Sequence, residues 1–181
     1  MRNLNLIRLN KNHEIKPFDC NDADLNNFLL NDAKPALVQN LAVTYLLQEE
    51  DRTSAYFSLL NDKISLKELR AEAFNHIRSR FLNTGFDDLA SYPAVKVGRL
   101  GVDVCSQGNG VGRWILNYLK VLFLNNNRAG CRFITVDAYR ESLEFYRKIG
   151  FELMTVKDKE KPARLMYFDL QKGLGGIRAS A

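Results

Sequence analysis

The run Gln107-Gly-Asn-Gly-Val-Gly112 alternates glycine with other residues and leads straight into an amphipathic stretch. Glycine lets backbone amides approach a ligand with no Cβ in the way. Amides at the start of a helix point outward, where the helix dipole adds partial positive charge. The chemistry this suits is the grip of a phosphate or pyrophosphate. Three readings compete. A nucleotide-hydrolysing P-loop requires GxxxxGK[ST], and Gly112 is followed by Arg113-Trp114, without the Lys-Ser/Thr pair. A dinucleotide fold wants GxGxxG after an early strand of a regular βαβ unit, whereas this loop lies in the second half of the chain. A purely structural turn is the third reading, and the glycines alone leave it open.

Other reactive side chains are sparse. His13 stands in a polar N-terminal stretch and His76 on a helical face; neither has metal-ligand spacing around it, so surface roles and no metal are expected. The three cysteines, Cys20, Cys105 and Cys131, are odd in number with no CxxC pair, the pattern of reduced thiols serving as small hydrophobes.

The elements that must position the loop follow from periodicity. Leu4 to Leu9 alternates and predicts a short strand. Asn21 or Asp22 is an N-cap before Leu25, Phe28 and Leu29 at helical spacing, and this first helix should break or end near Pro35. Leu41–Leu47 and Ser54–Leu60 flank the polar turn Gln48-Glu-Glu-Asp-Arg52 as an antiparallel hairpin. Ser65-Leu-Lys-Glu68 has the spacing of a capping box, and Leu66, Leu69, Ala73, Ile77 and Phe81 continue a stripe, which predicts a mostly helical insertion over Ser65–Phe81. Its polar side carries Arg70, Arg78 and Arg80, the pattern of a solvated face.

Beyond Asn83–Pro93, Ala94 to Cys105 reads as a long strand in which Gly98 and Gly101 mark a bulge or a close backbone approach. The helix after the loop presents Val111, Trp114, Ile115, Tyr118, Leu119 and Leu122 on one face, and ends at Asn125-Asn-Asn and Gly130. Arg132–Ala138 is a strand, Glu141–Ile149 a short helix stopped by Gly150, and Phe151–Val156 and Arg164–Leu170 are the last strands. The order β-α-ββ-α-β-α-β-α-ββ gives a mixed α/β (α+β) domain, not a regular doubly wound sheet, with the long strand central.

The 181 residues, 46% hydrophobic and 26% charged, fit one globular domain over 1–172 with a loose tail at 173–181. No apolar run is long enough to span a bilayer, and the N-terminus is too polar for a signal peptide, which predicts a cytoplasmic protein with no membrane partner. A net charge of +5 permits an anionic partner such as a nucleotide or RNA without demanding one.

Set on these elements, the motifs carry a resemblance. Gln107–Gly112, between a central strand and a long helix, is similar to the Q/R-x-x-G-x-G/A signature of the GNAT acyltransferase superfamily. Phe145-Tyr-Arg-Lys-Ile-Gly-Phe151 is similar to its second hallmark, FYxxxGF. Phe18-Asp-Cys-Asn-Asp-Ala-Asp-Leu-Asn-Asn-Phe-Leu29 resembles the FDCGxxxLNxFL opening of bacterial GNAT proteins that include tRNA-acetylating toxins, and Arg99-Leu-Gly-Val-Asp103 resembles their RLAVD strand. The chain departs from the superfamily at Tyr139, where an Asn that contacts the cofactor is common.

The resemblance implies a GNAT-like fold and an acetyl-CoA-dependent N-acetyltransferase in which an amine attacks the thioester directly. The backbone of Leu100, Gly101 and Val102 would bond the pantetheine arm as an added strand does. Gln107, Gly108, Asn109, Gly110, Val111, Gly112 and Arg113 would cradle the pyrophosphate. The Val102 amide would polarise the carbonyl, and Tyr146 would protonate the departing thiolate. Phe145 and Phe151 fit core positions. Asp103, Asp137 and Glu141 lie near the right strands to act as base, each with an ordinary capping or surface role as the competing reading. The acceptor stays open among a small amine, a protein amino group and an aminoacyl-tRNA. A tRNA partner would want Arg70, Arg78, Arg80, Arg99 and Arg113 to converge. A homodimer is in keeping with the resemblance, and a non-catalytic CoA-sensing or protein-binding module is the rival reading.

Overall fold

In the computed structural model, residues 4–65, 71–125, 129–155 and 158–172 are described, without the side chains of 71–73. The expected tail at 173–181 and Arg70 lie outside them. The chain divides into two units, Met1–Leu60 with Val97–Leu119, and Asn61–Lys96 with Lys120–Ala181.

In the first unit, β1 (Asn5–Arg8) pairs antiparallel with β2 (Val43–Gln48), and β2 pairs with β3 (Thr53–Ser65) across the expected hairpin, Val43 opposite Leu59. Between β1 and β2 run α1 (Ala23–Asn27), a π-helical turn (Phe28–Asp32) and α2 (Ala33–Val38). Asp22 caps α1 as expected, its carboxylate accepting from the Asp24 and Leu25 amides at 3.0 Å each. The break expected near Pro35 is met by the π-helical turn just before it, and α2 ends at Val38, soon after it. Pro35 has no amide to donate to the preceding turn, which here is the π-helical segment Phe28–Asp32. This segment buries Leu29 and Ala33 with Leu9, Phe18, Leu46 and Tyr56.

β4 (Ser91–Val102) begins in the second unit and ends in the first. Both glycines mark close approaches. A Cβ on Gly101 would lie 2.7 Å from the Tyr56 ring and 2.9 Å from Phe18, and one on Gly98 would lie 2.5 Å from a Leu60 methyl. Backbone hydrogen bonds tie both ends of the strand. The Pro93 carbonyl takes the Arg132 amide, and Asp103 donates its amide to Ser54. Pro93 lies within the strand and Asp103 just beyond its last residue.

In the second unit, α3 (Ala71–Arg78) and a 3-10 turn (Ser79–Phe81) precede β4. After α4 (Val111–Asn125) come β5 (Phe133–Tyr139), α5 (Leu143–Lys148), β6 (Glu152–Leu153) and β7 (Ala163–Asp169). β7 pairs antiparallel with β5 and β6. Strand order is β1-β2-β3-β4 in the first unit and β4-β5-β7-β6 in the second, the seven strands of a mixed sheet.

One expectation changes here, on α4, and one falls outside the described residues. Ser65 ends β3 beside Ile64, which is buried in the cluster of Phe74, Ile77, Phe81 and Tyr92, and the capping box expected at Ser65–Glu68 falls on residues 66–70. Residues 66–70 lie outside the described ones. On α4 the buried residues are Ile115, Leu116 and Leu119, while Trp114 is 48% exposed and stacked on Tyr118. The helix carries apolar residues on two faces, and periodicity alone could not choose between them.

No helix among the described residues is long and apolar enough to cross a membrane, and Cys20, Cys105 and Cys131 are free thiols.

Candidate active site

β4 leaves the sheet through Asp103, which is only 6% exposed. Its carboxylate accepts from the Asp19 and Cys105 amides at 3.0 Å each, and its carbonyl takes the Ser106 and Gln107 amides at 2.8 and 3.0 Å. The side chain is thus committed to turning the chain, which fits its capping reading and not that of a base. The Asp103 amide faces Ser54, so by alternation the Val102 amide faces away from β3.

The glycine loop follows. Gly108 and Gly110 have φ of +77° and +78°, a left-handed conformation that glycine adopts without strain, and no atom lies within 4 Å of where a Cβ would stand. The loop is therefore open on that side. The Trp114 amide bonds the Gly110 carbonyl at 2.9 Å. The amides of Val111, Gly112 and Arg113 precede this first intrahelical bond and are left to other partners. No acid stands in the first turn of α4 to satisfy its dipole. These features fit an anionic group such as a pyrophosphate. Gln107 turns inward: its amide nitrogen bonds the Val102 carbonyl at 2.9 Å and the Cys20 carbonyl at 3.2 Å, tying the loop to the end of β4.

In the second unit, Tyr146 lies on α5 and is 6% exposed. Phe145 and Phe151 meet its ring edge-on, with centroids at 5.1 and 5.4 Å. Burial pushes the phenol well above its ordinary range. The helix ends as the sequence requires: Gly150 has φ +92°, its amide bonds the Arg147 carbonyl, and the Phe151 amide bonds the Tyr146 carbonyl at 3.0 Å. This is a Schellman cap built on the residue after Ile149.

Among the base candidates, Asp137 pairs with Lys96 at 2.5 Å and Glu141 is exposed. Arg78, Arg80 and Arg99 each hold an acid of their own chain, at 2.7 Å for Asp88, 2.8 Å for Asp169 and 3.4 Å for Asp24, and Arg113 is exposed. His13 bonds Gln48 at 2.8 Å and His76 bonds Arg80 at 3.2 Å. Sequence reading missed two groups. Lys120 reaches the end of α5, and an ionic cluster joins Arg80, Arg132, Asp169 and Glu152. Both join residues far apart in the chain, so no local spacing signals them.

The family model described as "Acetyltransferase (GNAT) domain" matches residues 83–168, the segment that carries both the glycine loop and Tyr146. No curated protein matches the chain. Several solved structures do. A tyrosine-to-phenylalanine mutant of KacT is 20% identical, with 95% of this chain and 97% of that one covered and a TM-score of 0.75. AtaT complexed with acetyl-methionyl-tRNAfMet is 19% identical, with 94% and 96% covered and a TM-score of 0.74. AtaTR bound with AcCoA is 19% identical, with 93% and 94% covered and a TM-score of 0.71. At such identities the likeness is one of fold.

Proposed function

We propose that this chain, which carries a GNAT acetyltransferase domain, transfers the acetyl group of acetyl-CoA to the α-amine of an aminoacyl-tRNA. The observation that carries the donor assignment is the start of α4: two left-handed glycines, an open side, and helix amides with no acid in the first turn. Gly108 to Arg113 hold the pyrophosphate through backbone amides, while the Gln107 amide bonds the Asp103 carbonyl and its side chain fixes the loop from within. Leu100, Gly101 and Val102 receive the pantetheine arm along the strand edge. Bound acetyl-CoA supplies a thioester that a neutral amine attacks directly, and the proton the nitrogen sheds as the amide forms passes to water. The Val102 amide, facing away from β3, is the donor assigned to the developing oxyanion. Tyr146 holds a proton on its phenol and delivers it to the departing sulfur.

The acceptor assignment is supported by the likeness to AtaT, solved with acetyl-methionyl-tRNAfMet. We place the protein in the cytoplasm, where free thiols persist. The test is incubation with acetyl-CoA and, in parallel, methionyl-tRNA, a lysine peptide and spermidine. N-acetylated methionyl-tRNA is expected, with a rate that falls steeply as salt rises. Acetylation of the peptide or the polyamine with charged tRNA untouched would overturn the acceptor assignment and leave the transferase standing.

A further inference from the structure

Lys120, on α4, is half-buried, and its Nζ meets three groups of the segment that follows α5 and of β7. It donates to the Ile149 carbonyl at 2.6 Å. It lies 3.9 Å from the centroid of the Phe168 ring and 5.9 Å from that of Phe151. Ile149 is the residue on which α5 ends, so its carbonyl sits at the negative end of the helix dipole. Phe168 is the residue against which Gly150 packs, with only 3.2 Å to spare for a Cβ. Phe151 lies edge-on to the Tyr146 ring, and its amide bonds the Tyr146 carbonyl. Among the described residues, these contacts of the ammonium group fall on the cap that fixes Tyr146, by a hydrogen bond to the cap backbone and by cation–π attraction to the rings that wall it.

We propose that Lys120 is the positioning residue of Tyr146: its ammonium charge clamps the α5 cap against Phe151 and Phe168 and so sets the orientation of the phenol. This rests on Tyr146 being the acid of the reaction proposed above.

The clamp depends on charge, because a neutral amine keeps a hydrogen bond but loses the attraction to the ring faces. Burial lowers the Lys120 ammonium from its ordinary value to about 8, with no charged group contributing. The ionisable neighbours are otherwise engaged. On α5, Arg147 pairs with Glu144, and Lys148 is exposed. On β7, Asp169 is held by Arg80 and Arg132. On β6, Glu152 is held by Arg80 and Lys172. Tyr146 itself is kept neutral by burial. The clamp is therefore set below about pH 8 and released above it.

The test compares wild type, Lys120→Met, Lys120→Arg and Tyr146→Phe, alone and combined, by release of CoA thiol from acetyl-CoA with methionyl-tRNA between pH 6.5 and 9.5. Lys120→Met is expected to lower kcat about tenfold at neutral pH with KM for acetyl-CoA unchanged. Lys120→Arg should restore turnover, and the ratio of wild type to Lys120→Arg should fall above about pH 8, which cancels the titration of the acceptor amine. Adding Lys120→Met to Tyr146→Phe should cost nothing further. Loss in Lys120→Met that is equal at every pH and multiplies with that of Tyr146→Phe, or no loss at all, overturns the proposal while leaving the acid role of Tyr146 intact. Wild-type turnover that Tyr146→Phe does not diminish removes Tyr146 from the reaction and overturns the proposal with it.

Discussion

A tyrosine serves as an acid only if its proton stays on until the leaving group needs it. Burial raises the Tyr146 phenol above its ordinary value, so it is protonated throughout the neutral range and contributes no falling limb to the rate below about pH 10. Tyr146→Phe keeps the ring that Phe145 and Phe151 pack against and removes only the proton. Its kcat should fall ~10²-fold with affinity for acetyl-CoA unchanged, a split read by steady-state kinetics beside a binding titration. The glycines of β4 make a second contrast. Gly101→Ala drives a methyl into two aromatic rings and should cost about 1–3 kcal/mol in urea unfolding. Gly98→Ala meets only the end of Leu60, which can swing aside, and should cost less. At this scale the FYxxxGF spacing pointed to Tyr146 and the glycine pattern to close approach. The inward turn of Gln107 was not legible, because its partners Cys20 and Val102 are brought to it by the fold.

Elements are held by contacts that local sequence does not announce. In the second unit, Arg80, from the turn after α3, and Arg132, at the start of β5, both bind Asp169 at the end of β7, at 2.8 Å each. Burial alone would raise the Asp169 carboxyl, yet the hydrogen bonds from Arg132 and Arg80 hold it below its ordinary value of 3.8. A carboxyl so lowered stabilises the fold above the unfolded value and loses that contribution as pH falls through the lower, folded one. Asp169→Asn leaves two guanidinium groups facing a neutral amide and should cost about 3 kcal/mol at pH 7. The gap from wild type should narrow below pH 3.8, and urea unfolding at the two pH values checks it. The legible elements were those with a terminal signal of their own: Asp22 before α1, Gly150 after α5, the polar turn of the β2–β3 hairpin.

For the whole molecule, element order and motif order together pointed to the fold, and the match to the GNAT domain over 83–168 agrees with both. Composition contributed least: a charge of +5 is spread over residues many of which bind acids of their own chain, as Arg78, Arg80 and Arg99 do. What the chain does therefore turns on the start of α4, where the donor is assigned. The most direct test is calorimetric titration of the purified protein with acetyl-CoA, beside a Gly110→Glu variant that puts a carboxylate at the mouth of the cradle and a side chain on a left-handed residue. Micromolar binding by wild type that the variant loses is the predicted result. Wild-type protein that does not bind acetyl-CoA, or a variant that binds it equally well, would contradict the donor site on which the proposed transfer depends.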